Sequence, residues 1–119
     1  MNGDYASIAV ARARTTAPPG SMMSQSVCRN IRIHGHVQGV GYRWALCAEA
    51  TRLVLTGWVR NRRDGSVEAL VVGDSDAVDT LLVWAQRGPP MARVDNVTVS
   101  EGNAGELSGR PDFQQIATF

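Results

Sequence analysis

Between Val27 and Val54 the spacing of apolar residues changes once, and the change falls on a glycine-rich junction. Val27, Arg29, Ile31, Ile33 and Gly35 alternate with Cys28, Asn30, Arg32 and His34, the period of a strand. From Arg43 to Val54, the residues Leu46, Cys47, Ala50, Leu53 and Val54 recur at three and four, the period of one helix face. His36-Val37-Gln38-Gly39-Val40-Gly41-Tyr42 joins the two. A strand that feeds directly into a helix leaves few topologies, because the helix must pack back onto the sheet with one handedness.

The remaining pattern extends this start. Gly57–Arg62 reads as a second strand, Asp64-Gly65 as a hairpin turn and Ser66–Val72 as a third strand. Asp74 or Ser75 is expected to cap a second helix whose apolar face is Val78, Leu81, Leu82 and Ala85. Gly88-Pro89-Pro90 ends that helix, since proline cannot continue it. Val94–Val99 gives a fourth strand, and Phe113–Phe119 a last one at the edge. The predicted class is α+β, a ferredoxin-like two-layer sandwich (βαββαβ). Its sheet is mostly antiparallel, and its two helices pack on one face.

Residues 1–26 differ in texture, with a linker-like Thr15–Ser21 and no periodic apolar pattern. They are expected to be a disordered N-terminal extension, leaving 27–119 as one domain large enough to fold alone. No apolar run approaches the ~20 residues of a membrane helix. With 44% hydrophobic and 19% charged residues and a net charge of +1, no global field draws the chain to nucleic acid or anionic lipid. Cys28 and Cys47 are too few for a disulfide scaffold, so a cytoplasmic protein with reduced thiols is expected. One disulfide between them stays open at this point. His34 and His36 share a strand but have no further ligands at fitting spacing, so no metal and no cofactor is expected.

The chemistry concentrates at the junction. Glycines let successive backbone N–H groups point into one concave site, and the helix that follows brings its positive dipole end to the same place. Arg43 adds a planar fork matched to two oxygens of a phosphate. Neither nucleotide-binding loop is present: the spacing fits neither GxxxxGK[ST] nor GxGxxG.

Gly35-His36-Val37-Gln38-Gly39-Val40-Gly41-Tyr42-Arg43 resembles the GxVQGVG[FY]R signature of the acylphosphatase family, and Gly57-Trp58-Val59-Arg60-Asn61 resembles its second signature, GWVxN. Asp64–Glu68 and Gly88–Val94 resemble the hairpin and the turn that follow. The resemblance implies hydrolysis of acyl phosphates to a carboxylate and inorganic phosphate, without a metal. It assigns the phosphate-binding loop to His36, Val37, Gln38, Gly39, Val40, Gly41 and Tyr42, the phosphate-binding arginine to Arg43, and the water-holding residue to Asn61. One departure is Val54, where the family often has glycine. Glycine would suit a left-handed cap there, which valine takes only with strain.

A carboxylate leaving group, with a pKa near 4–5 like a side-chain carboxyl, departs without protonation by a protein acid. What is left is to bind the phosphoryl oxygens and place a water in line. The amide of Asn61 can orient that water but is too weak a base to deprotonate it. A phosphate oxygen is therefore the expected proton acceptor. Arg60, Arg62 and Arg63 read as a solvated hairpin end, Trp58 and Trp84 as packing residues, and Cys47 as a small buried hydrophobe.

The partners expected are a small-molecule acyl phosphate and its inorganic phosphate product, with no nucleic acid and no membrane, and the chain is expected to be a monomer. Three alternatives belong to other classes. Ferredoxin-like sheets also bind RNA, but the usual stacking aromatics on the sheet face are not evident. The same signature occurs in accessory domains of hydrogenase-maturation enzymes, yet no CxxC zinc motif or further domain follows. A regulatory protein that binds the anion without turnover is the third, against which Arg43 and Asn61 both argue.

Overall fold

A computed structural model describes residues 25–107 and 112–119. The expected N-terminal extension lies almost wholly outside the described residues. Its last two positions are described: Gln25 accepts a bond from the Ser75 N–H, and Ser26 opens the first strand. In chain order the elements are β1 (Ser26–His36), α1 (Tyr42–Arg52), β2 (Thr56–Asn61), β3 (Val67–Asp74), α2 (Ser75–Ala85), β4 (Arg93–Glu101) and β5 (Phe113–Gln115). A short 3-10 turn, Ala104–Leu107, lies between β4 and β5.

The five strands form one sheet in the order β4-β1-β3-β2-β5. β1 lies antiparallel to both β3 and β4, and β2 antiparallel to β3; only β5 runs parallel to its neighbour β2. Alternation along each strand sorts residues to two faces. Ile31, Ile33, Val59, Val67, Ala69 and Val71 face Leu46 and Ala50 of α1 and Val78, Leu81 and Leu82 of α2, in one buried cluster. Both helices thus cover one face, the ferredoxin-like sandwich that the element order predicts. The other face carries Asn30, Arg32, Trp58, Arg60, Glu68 and Leu70, with Arg32 and Arg60 both in register with Glu68.

The first helix ends two residues before the expected Val54, which is 85% exposed rather than part of the apolar face. The cause is the backbone: Val54 has φ 62, so the chain turns left-handed and throws the side chain outward. Asp74 takes the N-cap position of α2 in extended geometry, but its side chain makes no capping bond. Cys47 is half-buried rather than enclosed, its thiol donating to the Phe113 carbonyl at 3.4 Å. The two cysteines are not joined: Cys28 alternates to the helix-free face of β1, and Cys47 belongs to α1.

Candidate active site

Because β1 and β2 both run antiparallel to β3, they point the same way and end at the same rim of the sheet. Ile33 and Asn61 are both in register with Val67, so the two strand ends lie ~10 Å apart across β3, two interstrand spacings. The 37–41 loop leaves β1 at that rim and enters α1.

Side chains of the loop hold it in place rather than line a site. Val37 is fully buried and Val40 packs against the core. The Gln38 amide donates to two carbonyls of the β2–β3 hairpin, Arg62 O at 2.8 Å and Ser66 O at 2.9 Å. The loop is thereby stitched directly to the residue after Asn61. Tyr42 belongs to the core: its hydroxyl donates to the Ala85 carbonyl at 2.7 Å and its ring packs on Trp84. Burial pushes its phenol well above the ordinary tyrosine range. His36 is the exposed last residue of β1.

What the loop presents is backbone. Gly39 has φ 77 and Gly41 φ 82, while Val40 between them is not left-handed. Alternating hand along consecutive residues turns N–H groups to one side, the geometry of an anion-binding nest. Among the described residues, no backbone N–H from Gln38 to Trp44 donates to a backbone carbonyl. The first turn of any helix leaves such donors open, and here the loop before it leaves its own open too. No side chain caps the helix start. Arg43 stands in that first turn and forms no ion pair or side-chain hydrogen bond with the described residues.

Asn61 closes β2 on the face toward the helices. Its Oδ1 is buried and has no hydrogen-bond partner among the described residues. Leaving a buried acceptor unmet costs about 1–3 kcal/mol, so the position calls for an explanation other than folding. The turn behind it is tightly made. Asp64 accepts from both the N–H and the hydroxyl of Ser66 at 2.9 and 2.6 Å, and Gly65 donates to Arg62 O.

Arg60 and Arg62 are not a solvated hairpin end. Both bond to Glu68 on the helix-free face, and both stack on the Phe119 ring. Arg63 alone of the three is exposed. Trp58 and Trp84 are packing residues as expected, the first beneath Arg60 and the second against Tyr42. Glu68, which holds the arginines, is a residue that motif reading passed over. Its one sequence signal is a lone carboxylate in the apolar run Val67–Val72.

Sheet order, helix placement and a donor-lined loop define a small α+β protein with an open site at one sheet rim. A family model described as Acylphosphatase matches residues 29–114. An acylphosphatase of Acidovorax sp. is 52% identical over 93 residues, which cover 78% of this chain and 93% of that protein. A solved acylphosphatase from Coxiella burnetii is similar with TM-score 0.71 at 32% identity, covering 83% of this chain and 100% of the other. Full-length HypF, solved in a phosphate- and nucleotide-bound form, is similar with TM-score 0.70 at 26% identity, over 80% of this chain but 12% of its own. The chain belongs to the acylphosphatase family, and its activity class is the hydrolysis of acyl phosphates.

Proposed function

We propose that this chain hydrolyses acyl phosphates by direct, metal-free attack of water on phosphorus. The backbone N–H groups of 38–42 and the guanidinium of Arg43 bind the phosphoryl oxygens, and Asn61 Oδ1 holds the attacking water. The observation that carries the reading is the run of backbone N–H groups from Gln38 to Trp44 that meet no backbone carbonyl among the described residues, around an arginine that has no ion-pair or hydrogen-bond partner among them.

Each group has one task. The fixed N–H groups and Arg43 neutralise charge on the three phosphoryl oxygens, which needs no reorganisation once the loop is folded. The buried Asn61 Oδ1 accepts a hydrogen bond from the water and aims its lone pair at phosphorus. The new O–P bond forms as the acyl O–P bond breaks, and the electron pair leaves on the carboxylate. An amide is too weak a base to take the water's proton, so a phosphoryl oxygen accepts it. The products are a carboxylate and inorganic phosphate. Because the contacts all fall on the phosphoryl group, varied acyl chains are tolerated.

Benzoyl phosphate loss, followed by ultraviolet absorbance with a chelator present, tests this in wild type, Arg43→Ala and Asn61→Ala. The chelated wild type is expected to be active. Each folded variant is expected to lose two to three decades of rate, about 3–4 kcal/mol. A chelator-sensitive wild type would overturn the metal-free reaction. A folded but inactive wild type that still binds inorganic phosphate through Arg43 would leave a binding protein instead.

A further inference from the structure

We propose that Glu68 is the positioning residue for Asn61, acting from the opposite face of the sheet through the two arginines that flank it; this rests on the water-holding role given to Asn61 above. Glu68 lies in the middle strand on the helix-free face and is only 6% exposed. Its Oε1 accepts from Arg60 Nε at 3.0 Å and from Arg62 Nη1 at 2.8 Å. Its Oε2 accepts from Asn30 Nδ2 at 2.9 Å, with Arg32 Nη2 at 3.9 Å. A buried carboxylate is costly unless paired, and here it is met by several donors at once. Burial pushes its carboxyl up, but the hydrogen bonds from Asn30, Arg62 and Arg60 outweigh it and hold the group below the ordinary range. It is therefore charged at neutral pH.

The arrangement works on Asn61 because strand residues alternate. Arg60 and Arg62 point to one face and Asn61, between them, to the other. One carboxylate oxygen grips both neighbours, which fixes the peptide planes on either side of Asn61 and hence the direction of its side chain. The grip is itself stiffened: the Arg60 guanidinium lies 4.6 Å from the Trp58 ring centroid and 4.4 Å from that of Phe119. Arg62 stacks on Phe119 as well, at 5.1 Å. Without this clamp, Gln38 and Asp64 would still hold the hairpin turn, but the two side chains that flank Asn61 would have no tether to the middle strand. The loop is less exposed to the same loss, because Gln38 keeps Ser66 O even if Arg62 shifts.

Glu68→Gln keeps the size of the side chain and removes its charge. Arg62→Met removes one tether but keeps the carbonyl that Gln38 needs. The readouts are kcat for benzoyl phosphate, inhibition by inorganic phosphate, and thermal melting. Glu68→Gln is expected to lower kcat roughly tenfold to a hundredfold, the scale of an ångström-sized misplacement, while phosphate inhibition changes little. Arg62→Met is expected to lower kcat less, in the same pattern. A carboxylate that merely stabilises the fold would lower the melting temperature and leave the kcat of the folded fraction alone. Unchanged kcat in the folded variants would therefore overturn the proposal, as would kcat and phosphate inhibition weakening together. If Glu68→Gln does not fold, Arg62→Met decides by the same criteria. A wild type without acyl phosphate hydrolysis would overturn the role of Asn61 first, and the clamp with it.

Discussion

At its start α1 is preceded by Gly41 at φ 82, and at its end it is followed by Val54 at φ 62. Both ends of one helix therefore turn through the left-handed region, yet their hydrogen bonds differ. Before Gly41 and just after it, backbone donors meet no backbone carbonyl among the described residues. Around Val54 the helix is closed: Val54 N–H donates to Thr51 O at 3.0 Å and Leu55 N–H to Ala50 O at 2.9 Å. Those two bonds are the paired closure of a Schellman motif, and the buried Ala50 and Leu55 supply its apolar contact. One end leaves its donors without a backbone partner, using the residue type for which the conformation is free. The other end spends its bonds on the fold and tolerates a residue for which the conformation is strained.

The contrast breaks most sharply at Gly41→Ala. A methyl group there meets nothing within 4 Å, so any effect comes from the backbone and not from a clash. Alanine at positive φ costs roughly 1–2 kcal/mol and regains about 0.5–1 kcal/mol by stiffening the unfolded chain, so a melting temperature lower by roughly 2–8 °C is expected. The rate should suffer more than stability, falling about tenfold to a hundredfold as the donors at 41–43 turn from their common focus. Steady-state rates with an acyl phosphate beside a melting curve check both. A destabilised variant with an unchanged rate would show that these N–H groups do not bind the phosphoryl group.

Tyr42→Phe separates the part a core side chain plays from that of the loop backbone beside it. It removes the hydroxyl that donates to Ala85 O and leaves that buried carbonyl without its bond. The expected cost is about 1 kcal/mol, or a melting temperature lower by roughly 4–8 °C. Its rate per folded molecule should fall far less than that of Gly41→Ala. A rate loss as large as that of the glycine variant would return the phenol to the site.

The open end of α1 was legible in the sequence because its determinants are local. Two glycines two residues apart, then an arginine in the first helical turn, state both the turn and the charge. The sheet order was legible for a similar reason, since period and turn residues fix each element and handedness fixes their connection. Tyr42 was not, because its partner is 43 residues away and nothing near position 42 marks it. Glu68 was hidden in the same way. Alternation places it on the helix-free face, but its partners come from β1, from β2 and from the hairpin, and period says which face a residue takes, not whom it meets there.

The smallest expected effect falls on the closed end. Valine is β-branched, so at φ 62 its γ-methyls crowd the backbone, and the left-handed conformation costs roughly 1–2 kcal/mol. Glycine removes that strain but loses about 0.5–1 kcal/mol through its freer unfolded chain. Val54 is 85% exposed, so almost no apolar burial is lost with its side chain. Val54→Gly is therefore expected to gain about 0.5–1 kcal/mol and to raise the melting temperature by roughly 2–8 °C, with the rate unchanged. Differential scanning calorimetry decides it. A clear drop would mean that in solution the chain leaves α1 by some turn other than the left-handed one, and the likeness between the two ends of the helix would dissolve. A rise would confirm that strain is carried at the end away from the site, where main-chain bonds hold it at no cost to the open donors at 38–44.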